Sequence, residues 1–360
     1  MRMMRVLGVV AVMSMSGTAA VAQATFMSFP ANHVAQEVSA DGSVVVGGVN
    51  GGGQAFRWTE AGGFAFLGAG VAWGVSGDGD AIAINNNGGI SRWTPATGAV
   101  GLPISGAFSG AAPAISRDGS TVVCGNQRWN SLTGTTSFPL PAGFATGSFS
   151  TNDVSNDGSV VTGGFGYGTP LSQPFRWTAA GGTQLLGHIP GGAPNSAGTV
   201  ISGDGSQIAG MGQGPTGFDT FRWTQPLGMV GLGVVAAGFG APYPRDMTPD
   251  GNVLVGTAGF TAFVWSGAGP ENLQEVLERD FGLNLNGYEL QFVNGVSDDG
   301  RTLVGLGHHP SGFNSGWVVH LPSTIPAPGG GTLLAMALVI AARRRRARVP
   351  SRAADSRARS

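Results

Sequence analysis

Short apolar runs separated by Gly-rich polar turns recur along almost the whole chain. Within the runs, β-branched and aromatic residues alternate with small or polar ones, as in VVVGG at 44–48 and FRWT at 56–59. Alternation over about four to eight residues predicts strands that bury one face. An Asp-Gly pair precedes many of these runs. It suits a tight hairpin turn, because Gly adopts a positive φ and Asp accepts a backbone N–H within the turn. The pattern predicts many short antiparallel strands.

The predicted strands are organised in an internal repeat. Seven Asp-Gly pairs follow one another at intervals of 37 to 49 residues, and a Trp lies 11 to 20 residues after each. The repeated turn residues are Asp41, Asp78, Asp118, Asp157, Asp204, Asp250 and Asp299. Five of the seven Trp residues follow an Arg, as in FRWT at 175–178. Each repeat has room for four strands, and four-stranded units repeated radially predict the blades of a β-propeller.

The two ends of the repeat array complement each other. The seventh unit stops after two strands, RTLVGLG and GWVVHLP, and the segments TFMSF and AQEVS near the N-terminus match the missing pair. We therefore predict an all-β fold over residues 25–322, a β-propeller of seven four-stranded blades closed by pairing of N- and C-terminal strands. Residues 270–282 interrupt the pattern, and their apolar residues share one helical face. They predict a short amphipathic helix that packs over the propeller.

Both ends of the chain carry export features. Residues 1–24 combine a basic start, a short apolar run and a small-residue end, a pattern typical of a secretory signal peptide cleaved after Ala24 or Ala22. Residues 323–346 join a Pro/Gly spacer to a short apolar run and four consecutive arginines, and residues 347–360 form a basic tail predicted to be disordered. Because clustered arginines stay cytoplasmic, the C-terminal segment predicts a membrane anchor before any processing.

Two resemblances follow from these motifs. The FRW, LG and Ser-x-Asp-Gly plan of residues 26–321 resembles the HAF family of bacterial extracellular repeat proteins. That resemblance supports the predicted β-propeller fold and implies an extracellular location, and it implies no activity. The C-terminal segment resembles the PEP-CTERM sorting signal, which implies cleavage by a membrane protease of the exosortase type. The matching residues are Pro326, Ala327, Pro328, Gly329, Arg343, Arg344, Arg345 and Arg346. Ala327 stands where the typical signal has Glu, and an ordinary C-terminal anchor is the alternative.

Charge is distributed unevenly, which narrows the classes of partner. The formal net charge is −1, but ten of the 19 arginines lie in the first five and the last 18 residues. The other nine arginines stand against 19 acidic residues, so the body of the chain has a formal charge near −10. An acidic body argues against a nucleic-acid partner. The one cysteine, Cys124, excludes an intramolecular disulfide framework and is predicted to be a small buried side chain.

No motif for catalysis or cofactor binding stands out. His308 and His309 are adjacent, so they would point to opposite faces of a strand, and the other histidines lack ligand spacing. We predict no catalytic, cofactor or metal residues, and the repeated aspartates are expected to form turns, with weak Ca²⁺ binding as the alternative. If charged residues met over a central channel, the nonrepeated candidates would be Glu289, Asp298, Arg245 and Asp246.

The sequence leaves two classes of function open. The favoured hypothesis is an exported, noncatalytic protein of the cell surface or extracellular matrix that binds polysaccharide or protein through one face of the propeller. The alternative is a hydrolase or lyase that acts on extracellular polysaccharide. A glycosidase requires two carboxylates placed across a cleft. The position of the nonrepeated charged residues in the fold therefore bears directly on the choice.

Overall fold

The structure is a computed structural model that describes residues 23–325 except 51–52, 88, 106–111, 167–171, 234–239 and 268. Most of the predicted signal peptide, the sorting motif and the basic tail lie outside the described residues. Within the described part of the chain there are 28 strands and one helix. No helix in that part is both long enough and apolar enough to cross a membrane.

The strands form seven antiparallel four-stranded sheets, the blades of a closed ring. Blade 1 contains β2 (His33–Val38), β3 (Val45–Val49), β4 (Gln54–Thr59) and β5 (Gly63–Ala69), and blade 2 contains β6 (Val71–Val75), β7 (Ile82–Asn86), β8 (Gly89–Thr94) and β9 (Gly98–Ser105). Blade 3 contains β10 (Ala114–Ile115), β11 (Thr121–Cys124), β12 (Gln127–Asn130) and β13 (Gly134–Ser137), and blade 4 contains β14 (Phe149–Val154), β15 (Val160–Phe165), β16 (Gln173–Thr178) and β17 (Gly182–Leu185). Blade 5 contains β18 (Ser196–Ile201), β19 (Gln207–Gly214), β20 (Gly217–Thr224) and β21 (Gly228–Gly231), and blade 6 contains β22 (Pro242–Met247), β23 (Leu254–Ala258), β24 (Thr261–Trp265) and β25 (Pro270–Asn272). Blade 7 contains β26 (Glu289–Val296), β27 (Thr302–His309), β28 (Phe313–His320) and β1 (Thr25–Ala31). The predicted seven-bladed β-propeller is confirmed.

The ring closes through strands from both ends of the chain, as predicted. In blade 7, β1 pairs with β28, with Thr25 opposite His320 and Ser28 opposite Trp317. The N-terminus supplies one strand of this blade, not the expected two. The segment AQEVS belongs mainly to β2, the inner strand of blade 1, because a tight hairpin pairs the two strands that flank its turn. A repeat counted from the Asp-Gly turn is therefore one strand out of phase with the sheets.

The seven Asp-Gly turns share one hydrogen-bond pattern. In blade 1, the Ser39 hydroxyl and the Ser43 N–H donate to Asp41 Oδ1 at 2.7 and 2.9 Å, and Gly42 has a φ of 75°. The Val44 N–H donates to the Ser39 hydroxyl oxygen at 3.0 Å. Equivalent bonds to the aspartate occur in the other six turns. The repeated carboxylates are therefore engaged within their own turns.

Hydrophobic clusters fill the spaces between neighbouring blades. Seven clusters each join two adjacent blades around the ring. In the cluster between blades 7 and 1, Phe29 packs on Trp58 with their ring centroids 5.1 Å apart. Cys124 lies in the cluster between blades 2 and 3, where burial raises the pKa of its thiol to about 11. Each sheet thus buries its apolar faces against its neighbours, which a single blade could not do alone.

A polar contact accompanies five of these interfaces. The Arg that precedes the repeated Trp extends to the next blade and donates to the carbonyl oxygen of its Asp-Gly glycine. These contacts, here termed arginine staples, are Arg57 to Gly79 at 3.3 Å, Arg92 to Gly119 at 2.9 Å, Arg128 to Gly158 at 3.2 Å, Arg176 to Gly205 at 3.5 Å and Arg222 to Gly251 at 2.7 Å. Blades 6 and 7 have Val264 and Gly316 in place of the Arg. The two interfaces of blade 7 therefore lack the staple.

One helix interrupts the strands of the described residues. α1 (Leu273–Phe281) lies between β25 and β26, and it begins after Asn272, whose side chain accepts the Gln274 N–H at 2.9 Å. It ends at Gly282, which has a φ of 63°. Its buried residues belong to the cluster between blades 6 and 7: Leu273, Val276 and Leu277. The helix starts three residues later than predicted, because residues 270–272 form β25.

Candidate ligand-binding channel

The inner strands of the blades, β2, β6, β10, β14, β18, β22 and β26, line a central channel. In five of them the ladder has a bulge three residues before the Ser or Thr of the turn. A bulge leaves one residue unpaired and re-aims its side chain. The five bulge residues all line the channel: Gln36, Trp73, Asn152, Arg245 and Asn294.

Backbone hydrogen bonds between blades narrow the channel at the Asp-Gly turns. They involve the residue between the Ser or Thr and the Asp of each turn, except that Asp118 supplies the donor of blade 3: Ala40, Gly77, Arg117, Asn156, Gly203, Pro249 and Asp298. In this ring, the N–H of one turn donates to the carbonyl of the next, as from Ala40 to Gly77 at 3.0 Å and from Gly77 to Arg117 at 2.7 Å. Pro249 has no N–H to donate to blade 7. We term this end of the channel the closed end.

Arg117 reaches across the closed end from blade 3. Its Nη1 donates to the carbonyl oxygen of Val38 in blade 1 at 2.9 Å, and its Nη2 donates to that of Val296 in blade 7 at 3.5 Å. Nη2 also lies 3.1 Å from Asp298 Oδ1. The Arg117 side chain is 17% exposed. One guanidinium therefore joins blades 1, 3 and 7 across the channel.

Three further carboxylates lie near this guanidinium, each two residues before the turn Ser or Thr of its blade: Glu37, Asp153 and Asp246. Asp153 Oδ1 accepts the Val154 N–H at 2.7 Å, and Oδ2 accepts the Ile201 N–H of blade 5 at 2.9 Å. Asp246 makes the same pair of bonds, at 2.7 Å to its own strand and at 2.8 Å to blade 7. Each aspartate thereby connects the inner strands of two neighbouring blades.

Burial makes these carboxylates difficult to ionise. Burial and the nearby Asp246 carboxylate raise the pKa of Asp153 to about 7. Burial raises the pKa of Asp246 to about 6 despite the attraction of Arg117. Burial and Asp246 also raise the pKa of Glu37 well above its ordinary value. For Arg117, burial alone would lower the pKa, but the surrounding carboxylates raise it. The closed end combines a permanently charged arginine with acids that take up protons near neutral pH.

The part of the channel wall farther from the turns, here termed the open end, has a different chemistry. Aromatic and amide side chains contribute to its wall: Trp73, Tyr243, Gln36, Asn152 and Asn294. The Arg245 guanidinium carbon lies 4.9 Å from the centroid of the Tyr243 ring. Among the residues that the structure describes, Arg245 forms no ion pair. The cavity in the channel has a volume of about 160 Å³.

Three of the four charged residues predicted as candidates meet at the channel. Arg245 and Asp246 line it, and Asp298 pairs with Arg117 at the closed end. Glu289 is exposed at the start of β26 and does not line the cavity. The convergence required by the catalytic hypothesis is therefore partial, and two of the converging groups are bound to other parts of the scaffold.

The histidines lie apart from the channel cavity. His308 Nδ1 lies 3.0 Å from Asn314 Oδ1, and His309 stacks on Phe313 with the ring centroids 4.4 Å apart. Across the described ranges, no group of three His, Cys, Asp or Glu side chains is placed to hold a metal ion. The two histidines therefore make local contacts at the end of β27 in blade 7.

Glu37, Arg117 and Asp153 were not predicted, although the repeat contains a signal for two of them. The position two residues before the turn Ser or Thr is Gly, Ala or Val in four blades and acidic in the other three. An acidic residue at an otherwise small or apolar position of an inner strand requires hydrogen bonds or a charge partner. Only the correct phase of the sheets shows that these positions belong to inner strands, so the signal becomes readable once the blades are assigned.

Comparison with known proteins shows the fold alone. An oligogalacturonate lyase in complex with manganese superposes with a TM-score of 0.56 at 13% identity, over 84% of this chain and 97% of that one. The β-propeller domain of Cps50 (Swd1) from Myceliophteria thermophila gives a TM-score of 0.55 at 9% identity, over 81% and 99%. TolB from Acinetobacter baumannii gives 0.43 at 15% identity, and the match spans 66% of this chain and 61% of TolB. No protein-family model and no curated protein matches the sequence.

Proposed function

We propose that this chain is an exported, noncatalytic β-propeller of the cell surface or extracellular matrix that binds polysaccharide through the face on which the channel opens. The observation that carries the proposal is the bonding of the charged groups at the closed end. Asp153 and Asp246 each accept N–H groups from two blades, and Arg117 donates to two backbone carbonyls and pairs with Asp298. These groups hold the ring together, and the open end is left for a ligand.

The export part of the proposal is supported by the sequence at both ends. Residues 1–24 have the pattern of a signal peptide, and residues 323–346 resemble a sorting signal that an exosortase-type protease would process. The resemblance of the repeats to HAF proteins supports the same address. Deletion of residues 326–346 should move the protein from the membrane fraction to the periplasm or medium, measured by fractionation and immunoblotting. Retention in the membrane fraction would contradict the proposed anchor.

One observation favours the alternative, a hydrolase or lyase that acts on extracellular polysaccharide. The pKa values of Asp153, about 7, and Asp246, about 6, suit a general acid or base near neutral pH. A catalytic carboxyl must also reach a proton of the substrate. Both carboxyl groups here already accept two backbone N–H groups each. This engagement is why we favour binding over catalysis.

A binding screen run beside a hydrolysis assay separates the two functions. The purified chain is applied to a glycan array, and the same glycans are assayed for newly formed reducing ends and unsaturated products. We expect binding without turnover. Turnover that Asp246→Asn or Glu289→Gln abolishes would overturn the noncatalytic proposal. If the chain binds no glycan on the array but binds an extracellular protein, the ligand is a protein and not a polysaccharide.

A further inference from the structure

We propose that the open end of the channel binds the terminal sugar of a neutral polysaccharide, one sugar unit per propeller. This inference deepens the function proposed above and rests on it, because it names the site and the chemical class of its ligand. The site consists of Trp73, Tyr243, Gln36, Asn152, Asn294 and Arg245.

The side chains of the site combine two kinds of surface that a pyranose ring also combines. Trp73 and Tyr243 provide aromatic faces, which pack against the C–H groups of a sugar ring. Gln36, Asn152 and Asn294 each have an amide with donors and an acceptor, of which one Asn294 N–H already donates to Ala35, and neighbouring hydroxyl groups of a sugar both donate and accept. Mixed apolar walls with a few convergent polar groups are characteristic of small-molecule sites.

The site is held in place by the inner strands. Four of the polar side chains belong to bulge residues, and the residues on both sides of each bulge are paired in the ladder. Asn294 Nδ2 donates to the Ala35 carbonyl oxygen at 2.8 Å and lies 3.5 Å from Gln36 Oε1. The Arg245 guanidinium lies over the Tyr243 ring. Side chains fixed by such contacts lose less conformational entropy on binding.

The shape of the channel selects a chain end. The turn-to-turn hydrogen bonds and the Arg117 contacts narrow the channel at the turns, so we expect a ligand to enter from the other side. The cavity volume of about 160 Å³ is below the roughly 300–1,000 Å³ of drug-sized ligand sites. We expect a site of this size to take one sugar unit at the end of a chain rather than a polymer threaded through the ring. A terminal or branch-end sugar therefore fits, and an internal sugar does not.

The charge of the channel selects a neutral sugar. Glu37, Asp153 and Asp246 lie below the open end and add negative charge only once they ionise, and Arg117 is already paired with Asp298. The body of the protein adds a formal charge near −10. A polymer of uronic acids would meet this negative potential on approach. Arg245 alone does not offset it, so its donors are expected to bind sugar hydroxyl oxygens.

Calorimetric titration of the full chain tests the site. The probes are linear neutral hexose oligosaccharides that bind on the array, their monosaccharides, a cyclic glucan without chain ends and a uronate oligosaccharide. We expect linear neutral probes to bind, the monosaccharide to compete, and the cyclic and uronate probes to bind at least about tenfold more weakly. Trp73→Ala should weaken binding about tenfold or more. Asn152→Ala, the second variant, should weaken it severalfold.

Phe260→Ala is the matched control, because Phe260 is an aromatic residue that is 74% exposed and lies outside the channel. Its affinity should stay within about twofold of the unchanged protein, and each variant is checked by its melting temperature. If Trp73→Ala and Asn152→Ala both bind the glycan as tightly as the unchanged protein, the proposed site is wrong, although the chain still binds polysaccharide. Preferential binding of the cyclic or uronate probe overturns the ligand class. Failure of every glycan on the array overturns the proposed function and this inference together.

Discussion

The interfaces from blade 1 to blade 6 and the two interfaces of blade 7 join the same kind of sheet by different means. In the first region, the stapled arc, each of five interfaces combines an apolar cluster with an arginine staple. In the second region, the seam, Val264 and Gly316 replace the staple arginines. The seam relies instead on α1, on the exchanged strand β1 and on a large apolar cluster that includes Ile325 near the end of the described chain.

Part of the difference follows from the place of β1, which lies in blade 7 although it precedes blade 1 along the chain. Inside the arc, the same sequence repeat meets the same partner five times, so one arginine and one glycine carbonyl serve every interface. At the seam, Asn32 alone joins β1 of blade 7 to β2 of blade 1, and β1 is held in blade 7 by its pairing with β28 and by apolar contacts. Buried apolar area contributes about 25 cal/mol per Å² to this closure. We therefore expect changes at the seam to lower the stability of the ring more than changes in the stapled arc.

Deletion of residues 25–31 should have the largest effect on stability. It removes β1, exposes the edge of β28 and takes Phe29 out of the cluster between blades 7 and 1. Loss of a buried Phe alone costs about 3–5 kcal/mol. We expect the deleted chain to lose cooperative unfolding or to melt far below the unchanged chain, measured by circular dichroism. Within β1, Phe29→Ala should destabilise strongly, while Met27→Ala, at a side chain 41% exposed, should not. Equal effects of these two variants would contradict the strand exchange.

An exchange of side chains between arc and seam tests whether the staple is suited to one region only. Val264→Arg places a charge at a position that is 2% exposed inside the seam cluster, and Arg92→Val removes a 2.9 Å staple from the arc. Burial of an unpaired charge costs several kcal/mol, and a hydrogen bond from a charged donor contributes about 1.5–3 kcal/mol. Both variants should lower the free energy of unfolding, Val264→Arg by more, in urea titrations.

Arg279→Val is the control for the loss of an arginine side chain. Arg279 is exposed on α1 and pairs with Glu271 and Asp280, so its replacement should cost at most about 1 kcal/mol. If Arg92→Val costs no more than Arg279→Val, the staple contributes nothing specific. If Val264→Arg is neutral, the seam accepts the same staple as the arc.

The fold was largely predictable because each turn depends on local sequence. Ser39, Asp41 and Gly42 bond among themselves and with their neighbours, so the motif can be recognised without knowing the rest of the ring. The Trp behind each turn marks the interface cluster in the same local way. The phase of the sheets was wrong by one strand, because β2 pairs with β3 across its own Asp-Gly turn, whereas β1 pairs with β28 at the other end of the repeat array.

The channel was less predictable because its residues interact across blades. Arg117 lies 79 residues from Val38 and 179 residues from Val296, and no local pattern brings these three together. Asp246 and Asp298 were noticed only as charged residues outside the repeat. Their partners depend on the ring, and so does the group of aromatic and amide side chains at the open end. Sequence repeats predict contacts that recur, and this site is made from the positions where the repeats differ.

The smallest predicted effect concerns how the seam responds to pH. Asp246 joins blade 6 to blade 7 through the Val296 N–H, and burial raises its pKa to about 6 from the ordinary value of about 3.9. A carboxyl whose pKa is raised on folding binds more protons in the folded than in the unfolded chain. Its contribution to stability is therefore full below about pH 4 and is lost as the pH rises through about 6.

Asp246→Asn removes this dependence of stability on pH. Relative to the unchanged protein, the variant should gain about 1 kcal/mol in free energy of unfolding between pH 5 and pH 8, measured by urea titration. Asp80→Asn, at an exposed carboxylate of the arc, is the control, and a gain of equal size there would contradict a specific role of Asp246 in the seam.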